Sequence, residues 1–276
     1  MPFRDTIFGS PTISSEAFVD PAATVIGDVR IEDNVLIGPQ VALRGDEEGP
    51  FRICKGSNIQ DTTVFHGHKN EFVNINNEKY SIYIGQETTV AHRGLIHGPT
   101  YIGNKTFIGA NALVWASSIG DRCFVEHGVR LSNANIGNDC LIGMGAVVRD
   151  VELPDGTYVP DLAKVNSKTD LSSLEKVRPV ELARCRKKSG EIVKINHDLV
   201  VKHRQRAALM KEQQTQEMFA RFMGEREKRI QELRKHPLLQ GNPDLLEAAL
   251  IIVDTFCKTK TQRFNGDAVH QVASQA

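Results

Sequence analysis

Residues 84–114 read IGQETT VAHRGL IHGPTY IGNKTF IGANAL V, and each block opens on an aliphatic residue: Ile84, Val90, Ile96, Ile102, Ile108, Val114. An α-helix cannot hold one apolar face at that period, because six residues at 3.6 per turn rotate the position by about 240° each time. A stack of short strands can, since each repeat then adds one strand and one turn, and successive coils bury a continuous aliphatic column. The same period runs backward through Phe65, Ile59 and Ile53, then through Leu43, Ile37, Ile31, Val25, Val19, Ile13 and Ile7. Forward, after two one-residue slips, it continues as Ile119, Val125, Leu131, Ile136, Ile142 and Val148. The metre predicts a parallel β-helix over residues 1–170.

The pattern resembles the left-handed β-helix, a triangular prism with three hexapeptides per coil, so these positions imply about seven coils; the left hand comes from the resemblance. The metre breaks twice, between Leu43 and Ile53 and between Phe65 and Ile84. A solenoid carries such insertions as loops on one face, where function concentrates.

Positions three steps apart lie above one another at the sheet spacing of roughly 4.8 Å. Arg44, His66 and His97, each one residue after its apolar position, therefore form one column, and Asp61 stacks with His92. His66 and His97 can converge on one metal ion, and three histidines plus water is the catalytic form of a zinc site. His92 is five extended residues from His97, roughly 16 Å. A neighbouring subunit could supply it, and three prisms about a threefold axis would build three such sites, which predicts a homotrimer with metal at its interfaces. His68, His127, His197, His203, His236 and His270 lack such support.

With Arg44-Gly-Asp46-Glu47, Ser57-Asn-Ile-Gln60-Asp61, His66, Ala91-His92, Ile96-His97-Gly98-Pro99 and Leu153-Pro154-Asp155-Gly156, the chain resembles the γ-class carbonic anhydrases over about residues 10–200. The resemblance implies a trimeric lyase in which a three-histidine metal hydroxide hydrates carbon dioxide to bicarbonate and a proton. The metal would be zinc, with ferrous iron or cobalt as alternatives that imidazole equally suits. It further implies that Gln60 orients the water, Asn196 positions carbon dioxide, Arg44 and Asp46 act across the interface with Asp61 in the same network, and Glu47 relays protons. The family's shuttle glutamate is not in register here, so His68 or Glu71 is the expected substitute. Two alternatives stand beside the enzyme: a catalytically silent assembly scaffold of the same family, and a hexapeptide acyltransferase, which shares the prism but not the three histidines.

Cys54, Cys123, Cys140, Cys185 and Cys257 are scattered, and neither a disulfide framework nor a thiolate zinc site is signalled. Cys123 and Cys140 should stack within disulfide range, but small buried thiols are the expected state. No apolar run approaches the roughly 20 residues of a membrane span, and a cytoplasmic setting is expected. No nucleic-acid motif is present.

Residues 171–204 are expected to begin a helix packed on the prism through Ile192, Ile195, Leu199 and Val200, and 205–276 to form a helical extension. The long helix reads from Glu191 to His236, with Gly190 marking its start and Gly224 weakening it, and a second from Leu245 to Lys258 behind an Asn242-Pro243-Asp244 cap. Leu209, Met210, Met218, Phe219, Phe222, Met223, Ile230 and Leu233 suggest an amphipathic face, docked on the trimer or holding a protein partner. The net charge of zero divides into an acidic 1–170 and a basic 171–276. The nearest acidic partner for the basic part is the chain's own prism, so deleting residues after 204 is expected to weaken the trimer.

Overall fold

The structure is a computed structural model that describes residues 9–166 and 168–255. Ile7, Cys257, His270, the end of the second helix at Lys258 and the last fifteen residues lie outside them. Two compact units are present, Met1–Arg204 and Gln205–Ala276.

The first unit is a parallel β-solenoid. Its short strands stack into three sheets of eight, nine and eight strands, and consecutive strands of a coil fall in different sheets. The inward positions are those of the metre. Leu43, Phe65, Ile96, Val114, Leu131 and Val148 are each 0% exposed in one column of the third sheet. Each such burial stabilises by about 1.5–3 kcal/mol. The coil count exceeds seven, because the metre runs on through Leu153, Val159 and Val165. A ninth strand, Glu175–Lys176, then joins the second sheet antiparallel to Thr157–Val159. With α1 (Lys168–Ser172), whose Leu171 packs on the core, it closes the C-terminal end of the stack. A solenoid needs such a cap because its last coil has no neighbour to cover it.

Both interruptions of the metre are loops, and the register resumes unbroken across them. The longer loop carries a hairpin, Val73–Ile75 with Glu78–Tyr80. Its turn residues Asn76 and Asn77 have φ of 51° and 68°, the left-handed pair that suits a tight hairpin.

α2 spans Pro179–Lys235, starting eleven residues before Gly190 and passing through Gly190 and Gly224 without a break. Proline at its first position is pre-organised for a helix start. Up to Arg204 it covers the second sheet: Ala91, Phe107 and Phe124 form a cluster joined by Cys185 and Ile192. Ser189, Val193, Asn196 and Val200 are buried on the same helical face. Ile195 and Leu199, expected to pack, are exposed because they lie off that face. The basic excess falls in this stretch, nine Lys/Arg against four Asp/Glu over 171–204, while 205–255 balance at eight each. The prism answers it directly. Arg186 reaches Asp139 at 2.6 Å and Arg204 holds Glu16.

In the second unit, helical residues 243–255 follow α3 (Pro237–Gln240), and Asn242 caps them by accepting from the Leu245 amide at 3.2 Å. Arg226 pairs with Asp254, and Ile230 is buried. Of the expected face, Leu209, Met210, Met218, Phe219 and Met223 are exposed. Among the described residues no helix is long and apolar enough to cross a membrane.

Candidate metal centre

The third sheet turns one residue in three inward, so the flanking residues of each three-residue strand face out. In register along its far edge stand Arg44, His66, His97 and Trp115. Sequence reasoning found the first three and missed Trp115, although the same arithmetic reaches it as the residue after Val114. The indole stacks on His97 with centroids 3.7 Å apart and planes at 14°.

His66 Nδ1 and His97 Nε2 face each other across 3.3 Å. The other nitrogen of His97, Nδ1, lies 3.0 Å from the Gly98 carbonyl, to which it donates, leaving a lone pair on Nε2. His66 Nε2 lies 3.4 Å from Glu47 Oε2, so a proton held there likewise leaves the lone pair on Nδ1. Two lone pairs so placed repel unless a proton or a cation lies between them. Two imidazole nitrogens about 2.05 Å from one tetrahedral ion stand about 3.3 Å apart. The pair fits a metal.

The two insertions supply the polar surroundings. Arg44 donates to Asp46 Oδ2 at 3.0 Å, and Asp46 Oδ1 is buried without a hydrogen-bond partner among the described residues. Burial pushes the Asp46 carboxyl up, but the Arg44 hydrogen bond and the neighbouring positive charge prevail and hold it below the usual carboxylate range. Glu48 accepts from the Asn70 amide at 2.8 Å and ties the loops together. Gly67 makes this approach possible, since a Cβ there would collide with the Glu48 carbonyl. His68 lies 5.6 Å from the His97 ring, centre to centre, and Glu71 Oε1 is 3.3 Å from His68 Nδ1.

The remaining expected residues stand elsewhere. His92 occupies the corner before strand Leu95–His97, with Nδ1 3.5 Å from Asp61 Oδ2. Gly38 leaves room for that carboxylate, which a Cβ would approach to 2.7 Å. Beside it, Gln60 donates to Asn58 Oδ1 at 3.1 Å, and Asn58 donates to Thr89 at 2.8 Å. This fixes the Gln60 amide and leaves its carbonyl oxygen free to accept. Asn196 lies in α2 and donates to the Ile192 carbonyl at 2.8 Å within its own helix. Among the described residues no three His, Cys, Asp or Glu side chains of one chain converge on a metal position. The pair and the His92–Asp61–Gln60 group therefore occupy opposite edges of one face.

The matched family model is the hexapeptide repeat of succinyl-transferase, over residues 99–132. The carboxysome assembly protein CcmM of Nostoc is 37% identical over 168 residues, 60% of this chain and 27% of that protein. The carbonic anhydrase of Methanosarcina thermophila is 33% identical over 178 residues, 61% of this chain and 65% of that one. A mitochondrial γ carbonic anhydrase of Arabidopsis thaliana is 32% identical over 138 residues, 50% of this chain and 47% of that protein. In each the match spans less than two thirds of the relative's length.

Proposed function

We propose that this chain belongs to a γ-carbonic-anhydrase-like hexapeptide-repeat family and is a metal-dependent carbonic anhydrase that interconverts carbon dioxide with bicarbonate and a proton. The observation that carries this is the His66–His97 pair, spaced at 3.3 Å for one ion. His66 and His97 of one subunit and His92 of the partner subunit would hold a zinc ion, with ferrous iron or cobalt as alternatives. Because the pair and His92 mark opposite edges of one face, the contact is head-to-tail, and it closes as a ring in a homotrimer. An ion held there would supply Lewis acidity, lowering the pKa of coordinated water toward about 7.

The protein's own groups do the rest. Gln60, with its NH2 committed to Asn58, presents a carbonyl oxygen that accepts a hydrogen bond from the attacking water and aims its lone pair. Glu47, half-exposed beside His66, takes the released proton; His68 and Glu71 pass it to solvent. Arg44 and Asp46 hold the interface edge, Asp46 offering its unpaired oxygen to the neighbouring subunit. Asp61 orients His92, and Asn196 positions carbon dioxide. A cytoplasmic setting belongs to the same reading.

The test is stopped-flow carbon dioxide hydration on metal-loaded protein, prepared with and without oxygen, with elemental analysis alongside. Stoichiometric metal without turnover would sink the catalytic reading. It would favour an assembly scaffold, for which the exposed apolar side chains of residues 205–255 speak.

A further inference from the structure

We propose that the cleft between α2 and the prism corner carrying Lys105 and Arg122 binds a small phosphorylated molecule. Its volume is about 420 Å³, within the range of small-molecule sites and larger than a bare inorganic anion requires. Four cationic side chains line it, Lys105 and Arg122 from successive coils and Arg186 and Lys194 from the helix.

The carboxylates nearby hold these cations without cancelling them. Asp139 accepts from Arg122 at 2.9 Å and from Arg186 at 2.6 Å, fixing two guanidinium groups with one negative charge. Asp121 stands 3.8 Å from Arg122, and Glu87 is 3.7 Å from Lys105. Lys194 has no acidic partner among the described residues. Fixed guanidinium forks with a mobile ammonium are the donor set that phosphate oxygens match.

Two further features of the wall point to a ligand. Ser189 is 6% exposed and lines the cleft, its hydroxyl within reach of a ligand there. Gly190 beside it sits inside a helix, where glycine costs about 1 kcal/mol relative to alanine. No neighbour demands it, because a Cβ there would meet nothing within 4 Å. The glycine leaves space in the cleft. A serine hydroxyl on the wall, an ammonium without an acidic partner among the described residues and that space together suit a phosphate ester whose head group lies among the cations.

The experiment is calorimetric titration of the full-length protein at low ionic strength with glucose 6-phosphate, inorganic phosphate and bicarbonate, using glucose as the uncharged control. Saturable one-to-one binding of glucose 6-phosphate is expected, with phosphate weaker and glucose silent. Lys194→Glu and Ser189→Ala should each weaken it at least tenfold. Gly190→Leu fills the cleft while favouring the helix, and should abolish binding without lowering the melting temperature. His97→Ala should leave the affinity unchanged, which separates this cleft from the metal centre. No saturable binding, binding unchanged in both Lys194→Glu and Gly190→Leu, or binding lost in His97→Ala would each overturn the proposal.

Discussion

Two outer faces of the same prism carry apolar side chains, and they meet different fates. On the second sheet Phe107 and Phe124 stack at 4.5 Å and are covered by the Cys185 and Ile192 side of α2. On the third sheet Leu95 and Trp115 stand 37% and 39% exposed beside the histidine pair, with no cover among the described residues. An outward apolar column on a solenoid is an unfinished surface. One is finished within the chain, where a basic helix meets acidic coils; the other lies along a face whose opposite edges carry the two halves of the proposed metal site. The reading of that face as a subunit interface is thus tied to the same strands that carry the chemistry.

Breaking the pair has the largest expected effect. His97→Ala should lower kcat/KM for hydration beyond the roughly 10- to 100-fold typical of outer partners of a metal ligand, with loss of bound metal by elemental analysis. Next comes the open face. Leu95→Asp buries an unpaired charge if that face is an interface, so association should weaken at least about 100-fold while circular dichroism stays that of the parent. Sedimentation analysis reads this, and an unchanged trimer would remove the distinction between the faces. On the covered face the cost falls on folding instead: Phe124→Ala should lose about 3 kcal/mol in denaturant unfolding. Trp115→Ala, which frees the His97 ring, should cost about tenfold in metal affinity. Trp115 is the chain's single tryptophan, so its fluorescence should report metal binding in the parent.

The smallest effect concerns the ion pair between helix and prism. The Arg122 hydrogen bond holds the Asp139 carboxyl below its ordinary range against burial, with Arg186 adding to it. A carboxyl depressed in the folded state stabilises above its unfolded pKa of about 3.9, and that contribution is lost as pH falls through the lower folded value. Arg186→Ala should therefore cost less than about 1 kcal/mol near neutrality, and the difference from the parent should begin to shrink below about pH 4 and vanish only below the carboxyl's lowered folded-state value.

The sequence by itself determined the solenoid, because a period of six has one regular solution and stacking follows from counting. Arg44, His66 and His97 share an edge for that reason alone, and insertions displace loops without shifting the column. The eighth coil was legible too, in Leu153, Val159 and Val165, once the metre was followed to its end. What only the tertiary structure decided was which face of α2 turns inward. Ile192, Ile195, Leu199 and Val200 all offered apolar surface, and the choice of Ile192 with Val193 and Val200 follows from where Phe107 and Phe124 present a complementary ridge. It alone seated Trp115 against His97 and brought Ser189 and Lys194 of the helix to the Lys105–Arg122 corner, because periodicity orders residues along a repeat while packing between unlike elements depends on shape.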